Sequence, residues 1–255
     1  MRPLAIDLFC GLGGWTEGLL AEGYRVVGFD IERHAYGSQR YPAQLVLQDV
    51  LTIHGRQFKD AALIVASPPC QEYSYMAMPW SLAKQKIRDY ESGALDVKQL
   101  TALFDACFRI QWEASEAKGE YIPLVVENVR GAQRWVGRAK WHFGSFYLWG
   151  DVPALMPITR KHVKVATMGA GWYPPGHPKH VPGLAFNGHA ERGMKGAGAG
   201  WFNDAKRNGG TETGRLSQSG SKSPARKAAS AMIAKIPLVL SRHIAQAWKP
   251  ETRVA

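Results

Sequence analysis

The sequence predicts an α/β protein built on a mostly parallel, doubly wound sheet, and three observations lead there. Short apolar runs alternate with helix-like stretches in a β-α-β rhythm along the first 150 residues, an order that favours parallel strands joined by right-handed crossovers. A glycine-rich turn separates the first run from the first helical stretch. Several runs also end on a residue able to do chemistry, an acid or a cysteine, and open α/β sheets bind ligands just outside the carboxyl ends of their strands.

Leu4 to Phe9 reads as the first strand and Cys10-Gly11-Leu12-Gly13-Gly14 as a tight turn. Trp15 to Glu22 then makes a helix that Gly23 ends, as glycine does past a helix terminus. Glycines at such a turn let backbone N–H groups approach a ligand closely at a helix amino terminus. Tyr24 to Phe29 is a second strand ending in Asp30. An acid there is placed to accept hydrogen bonds from ribose hydroxyls, or to cap a helix expected over Ile31 to Arg40, or both. Leu45 to Val50 is a third strand carrying Asp49.

Ala61 to Ala66 is a continuous apolar run, the pattern of a buried parallel strand. Ser67-Pro68-Pro69-Cys70-Gln71-Glu72-Tyr73-Ser74 follows it, and two prolines stop the strand and stiffen the loop that carries Cys70. Cys70 is therefore either a small buried hydrophobe, the common fate of a cysteine, or a nucleophile. Val97 to Ala117 alternates with helical period and is expected to cover the sheet, which makes Cys107 a core residue. Tyr121 to Val126 is the next strand, delivering Glu127-Asn128-Val129 to the same edge. A carboxyl beside a cysteine loop suits acid/base work or a hydrogen bond to a ring nitrogen, or is an ordinary surface acid. Phe146 to Gly150 reads as a further strand, and Ser223 to Ala247 as a helix broken near Ile236-Pro237.

Composition narrows the class. With 45% hydrophobic residues the chain can bury a core, and without a run of about 18 apolar residues it is expected to have no membrane span. The amino terminus lacks a secretory pattern. The three cysteines, Cys10, Cys70 and Cys107, cannot all pair and are not spaced as a zinc site, so a reducing, intracellular setting and no metal are expected. The net charge of +11 points to a polyanion as partner, or to no more than a solvated basic face. From Arg130 to Lys164 seven Lys or Arg face one acid, and from Arg215 onward eight face one. Residues 169–220 hold thirteen of the 27 glycines, with Trp172, Tyr173 and Trp201 among scattered Lys and Arg. That stretch reads as an insert without regular structure, or as aromatic loops that meet nucleic acid.

Asp7-Leu8-Phe9-Cys10-Gly11-Leu12-Gly13-Gly14, then Pro68-Pro69-Cys70-Gln71, then Glu127-Asn128-Val129 together resemble the DNA (cytosine-5)-methyltransferases, in the family's order and across about the first 150 residues. The resemblance implies a Rossmann-like, S-adenosylmethionine-dependent fold with a small irregular target-recognition region. It divides the chain into a catalytic and cofactor-binding domain at 1–165, a short glycine-rich recognition region at 166–222, and C-terminal helices at 223–255 that return to the catalytic domain. In this resemblance Phe9, Gly11, Leu12, Gly13 and Gly14 hold the methionine part of S-adenosylmethionine. Asp30 takes the ribose, Ile31 packs against adenine, Asp49 accepts from the adenine amino group, Val50 lies on the ring's other face, and Pro68 adjoins the cofactor. Cys70 is the nucleophile and Glu127 the partner of the cytosine ring nitrogen.

The pattern departs from the family after Arg130. Members carry Gln-x-Arg-x-Arg before the next strand, whereas Trp141-His142-Phe143-Gly144-Ser145 stands here, leaving Arg138 or Lys140 to supply the cation. Met232 and Ala234 occupy positions where members have the Asn and Val of Gly-Asn-x-Val. The implied protein is a compact, phage-like enzyme, a cytoplasmic monomer in a bacterium or phage-infected host, that methylates a cytosine flipped out of double-stranded DNA. The alternatives are an RNA (tRNA) cytosine methyltransferase, which uses the same catalytic set, and a catalytically silent DNA-binding or regulatory module.

Overall fold

A computed structural model describes residues 2–36, 38–73, 80–156, 227, 231–232 and 234–250. Two units divide the chain. Of the described residues the first takes in 2–34, 40–73, 80–156 and 236–250; the second has only 35–36, 38–39 and a few positions between 227 and 235. The expected recognition region at 166–222 lies outside the described residues.

The first unit is built on one sheet. Its strands are β1 (Leu4–Leu8), β2 (Arg25–Asp30), β3 (Gln44–Leu47), β4 (Ala61–Ala66), β5 (Leu124–Asn128), β6 (Trp141–Phe143) and β7 (Phe146–Gly150). They lie in the order β3-β2-β1-β4-β5-β7-β6. The first five run parallel, while β7 pairs antiparallel with both β5 and β6. The fold is Rossmann-like, and the order reverses between β1 and β4, which opens a crevice at their carboxyl ends.

Apolar runs form this sheet because both of its faces are covered. Side chains alternate from face to face along a strand, and β4 shows it: Ile64 and Ala66 pack with one core, Leu63 and Val65 with the other. The first core is closed by α3 (Val97–Lys118) through Phe104, Cys107, Ile110 and Ala114. The second is closed by α1 (Gly14–Ala21) and α5 (Leu238–Ala247) through Trp15, Leu19, Leu240 and Ile244. Asp96 caps α3 by accepting from the Lys98 amide, and Gly119 ends it in a left-handed conformation at φ 75°. Cys107 is fully buried there, a core residue as its spacing indicated.

Several expectations need correction. Among the described residues of 31–40 no helix forms; bends follow Asp30, and two-residue strands occupy Ala35–Tyr36 and Gln39–Arg40. Tyr41, just past this stretch, anchors its end to the sheet: its ring takes the space that a side chain on Gly28 would fill, and its hydroxyl lies 2.7 Å from Thr16 Oγ1. The third strand ends at Leu47, so Asp49 sits beyond it and caps the short turn Val50–Thr52 through the Leu51 amide. Strand β5 begins at Leu124 and contains Glu127 and Asn128 rather than stopping before them. Helix α2 (Trp80–Glu91) is an element the sequence reading left without assignment. The four-residue α4 (Gln133–Val136) follows β5.

Candidate active site

The carboxyl edge of β1, β2, β4 and β5 gathers the residues that carry chemistry. At the tip of β1, Phe9 adopts φ 57°. A bulky residue in that region is strained, and such strain persists where surrounding contacts impose it. Here the Cys10 amide donates to the Phe29 carbonyl at 3.1 Å, which fixes the turn against β2. Gly11 and Gly13 follow with φ 50° and 78°. A Cβ on Gly13 would fall 2.5 Å from Pro42 Cδ, whereas one on Gly11 would meet nothing within 4 Å. The turn is thus packed from one side and open on the other, with Leu12 and Gly14 buried.

Asp30 closes the turn. Its carboxylate accepts from the Gly11 amide at 2.9 Å and from the Ile31 amide at 2.8 Å, with His34 Nε2 3.5 Å away. Burial pushes its pKa up, but the hydrogen bonds from His34 and from the Gly11 and Glu32 amides outweigh that and hold the carboxyl below its usual value. Asp30 is therefore an anionic acceptor at neutral pH. Ile31 beside it is 72% exposed, a large apolar side chain held out at the strand tip. Asp49 is exposed and accepts from the Leu51 amide, while Val50 is buried in the core.

Beneath the turn lies a buried polar chain. Thr16 Oγ1 donates to Asp7 Oδ2 at 2.6 Å, and the other oxygen, Asp7 Oδ1, is buried without a hydrogen-bond partner among the described residues. Burial pushes Asp7 up to about 7, with Asp30 adding to it and the Thr16 bond opposing it. Burial likewise raises the Cys10 thiol, with the Asp7 and Asp30 charges adding to it. Cys10 is inert as a nucleophile for that reason.

The Cys70 loop is pinned along its length. The Ser67 amide donates to the Leu8 carbonyl at 3.1 Å, and Ser67 Oγ accepts from the Trp15 indole at 3.0 Å. The Pro68 carbonyl accepts from the Asn128 side chain at 3.0 Å. The Tyr73 amide closes a turn on the Cys70 carbonyl at 3.1 Å, and the Tyr73 hydroxyl donates to the Leu100 carbonyl of α3 at 2.7 Å. Cys70 itself is half-buried, in contrast to Cys10 and Cys107. Pairing of Ala66 with Val126 brings the next residue of β5, Glu127, to the edge from which this loop leaves, and Glu127 is buried.

The structure therefore gathers Phe9, the Gly11–Gly14 turn, Asp30, Ile31, Pro68, Cys70 and Glu127 along one edge. Arg138 and Lys140 are exposed on the segment leading into β6, where the Lys140 amide donates to the Leu148 carbonyl at 2.9 Å. Their neighbour Arg134 pairs with Glu91 and lies over the Trp135 ring, 5.6 Å from its centroid. Trp15, Thr16, Ser67 and Asn128 carry no local signal of their roles, because no sequence pattern distinguishes a Trp, Thr, Ser or Asn that bonds across the fold from one that merely packs. Among the described residues no group of three His, Cys, Asp or Glu side chains could hold a metal ion, and no helix is long and apolar enough to cross a membrane.

These residues fit a cofactor that carries a ribose, a flat ring and a positive charge. Asp30 offers an ionised acceptor, Ile31 an exposed apolar surface, Gly11 open backbone, and the buried Asp7 an oxygen with unused acceptor capacity.

The chain is similar to known proteins over part of its length. Type II methylase M.HgiDII of Herpetosiphon aurantiacus is 33% identical over 84 residues, 29% of this chain and 23% of that protein. The chain thus spans less than a quarter of the curated relative it matches. Among solved structures, one described as a DNA modification methyltransferase encoded within a prophage (E. coli) is similar at 22% identity and a TM-score of 0.35, over 51% of this chain and 33% of that one. The S. pombe Dnmt2 methyltransferase is similar at 16% identity and a TM-score of 0.33, over 54% and 37%. The stretch that builds the glycine turn, the strand-tip acids and the proline–cysteine loop, residues 4–107, matches the family of C-5 cytosine-specific DNA methylases.

Proposed function

We propose that this chain transfers a methyl group from S-adenosylmethionine to carbon 5 of cytosine in duplex DNA, with Cys70 as nucleophile. The reading is carried by one observation: the buried Asn128–Pro68 bond ties the Cys70 loop to the strand that holds Glu127. The family match over residues 4–107 and the positive charge of the chain support it. Phe9, the Gly11–Gly14 turn, Asp30, Ile31, Asp49, Val50 and Pro68 would hold the cofactor, which when bound supplies an electrophilic methyl group.

The residues divide the work by chemical type. The Cys70 thiolate adds to carbon 6 of cytosine, while Glu127 donates a proton or hydrogen bond to nitrogen 3 and takes up the charge that addition places on the ring. Carbon 5 then becomes electron-rich enough to accept the methyl group. Loss of the carbon-5 proton to a base and return of the nitrogen-3 proton to Glu127 restore the ring and expel Cys70 as thiolate. Because carbon 6 lies inside a stacked duplex, the cytosine must leave the stack to reach the thiol. Arg138 or Lys140 would meet the base or the phosphates, and residues 166–222 would read the target.

The test is methyl transfer from tritiated S-adenosylmethionine to unmethylated duplex DNA, with tRNA in parallel. Label is expected in 5-methylcytosine from DNA; Cys70→Ala should abolish transfer and keep S-adenosylhomocysteine binding. Full transfer by Cys70→Ala would overturn the mechanism, and label confined to tRNA would overturn the substrate.

A further inference from the structure

We propose that the Trp15–Ser67 hydrogen bond couples occupancy of the glycine-turn site to the position of Cys70, making both residues positioning residues for the thiol. The inference rests on the cofactor and nucleophile roles proposed above and adds the link between them.

Trp15 follows Gly14 directly, so its backbone belongs to the first turn of α1, beside the place where the cofactor would sit. Its indole is 2% exposed and has one donor, Nε1, which is given to Ser67 Oγ at 3.0 Å. A buried indole N–H has no water to turn to, so helix and loop must move together or lose the bond. Ser67 stands three positions before Cys70, and the two residues between are prolines. Each proline locks its φ near −65°. A displacement at Ser67 therefore reaches Cys70 with little slack. The Pro68 carbonyl is held by Asn128, so the loop is tied at two points, one on the cofactor side and one on the Glu127 side. The turn itself is backed by Pro42 at Gly13 and open at Gly11, so a ligand can press on it from one side only.

The chain carries its own probe. Cys10 and Cys107 are buried, and Cys70 is the most accessible of the three thiols. The rate of alkylation by iodoacetamide, measured on the native protein and assigned by peptide mapping, therefore reads the Cys70 thiol without requiring methyl transfer. Saturating S-adenosylhomocysteine is expected to change that rate at least about fivefold in the wild-type chain, the lower end of ordinary site-to-site coupling. Trp15→Phe keeps an aromatic side chain and removes the donor; with the ligand again saturating, the change should shrink to less than about twofold. Ser67→Ala should behave likewise, and Ser67→Thr, which keeps the hydroxyl, should restore the effect. A ligand effect of wild-type size in Trp15→Phe, or none in the wild type, would overturn the coupling while leaving the proposed function standing. Absence of S-adenosylhomocysteine binding to the wild-type chain would overturn both.

Discussion

The side-chain amide of Asn128 donates to the Pro68 carbonyl across 3.0 Å, and this buried bond joins the strand of Glu127 to the loop of Cys70. The same side chain accepts from the Val129 amide at 2.8 Å, so the carboxamide is held at both ends. Neither residue is in contact through sequence; they are sixty positions apart.

Removing this clamp should be costly. Asn128→Ala leaves a buried carbonyl without its donor, a loss of about 1–3 kcal/mol. It also frees the loop, so methyl transfer is expected to fall by more than the tenfold that about 1.4 kcal/mol represents. Urea unfolding and initial rates measured on the same preparation check both halves. Wild-type stability together with a wild-type rate would remove Asn128 from the account.

Asp7 predicts a pH dependence. Its folded pKa is raised from 3.8 to about 7, chiefly by burial. As pH rises from about 4 to 7, the unfolded chain gives up this proton while the folded chain keeps it, so the group's contribution to stability falls across that window. At 1.36 kcal/mol per unit the full swing is roughly 4 kcal/mol. Asp7→Asn keeps an acceptor for Thr16 and cannot ionise. The difference in Tm between pH 5 and pH 8 should therefore be smaller in the variant than in the wild type, and an unchanged difference would mean that another group titrates.

Gly28 is required by packing rather than by backbone angle. A methyl group there would overlap the Tyr41 ring and come within 2.8 Å of the Cys10 sulfur. Overpacking of this kind costs about 1–3 kcal/mol, so Gly28→Ala should lower Tm and displace Tyr41 from Thr16. The paired variant Gly28→Ala/Tyr41→Leu makes room for the methyl group and should recover part of the loss; failure to recover any would place the cost elsewhere.

Much of the site could be read without coordinates, for local reasons. The left-handed angles at Gly11 and Gly13, the apolar run of β4 and the two prolines before Cys70 are each properties of a few adjacent residues. The crossover after Asp30 could not be read in the same way. Its sequence allows a capped helix, and the contact that ties its end to the sheet, the Tyr41 hydroxyl on Thr16, spans twenty-five positions. Helix α2 carries few apolar residues for a period to be read from: Ala83 is buried, but Leu82 is exposed.

The sequence by itself determined the mostly parallel sheet, the glycine turn after its first strand, Asp30 at the end of the second and the proline loop that carries Cys70, because period, proline and glycine act within a few residues. Only the tertiary structure decided that Ser67 is held by Trp15, Pro68 by Asn128, and Asp7 by Thr16. Those partners are 52, 60 and 9 positions apart. A hydrogen bond across the fold depends on where whole strands and helices pack, and no local preference of the chain encodes that distance.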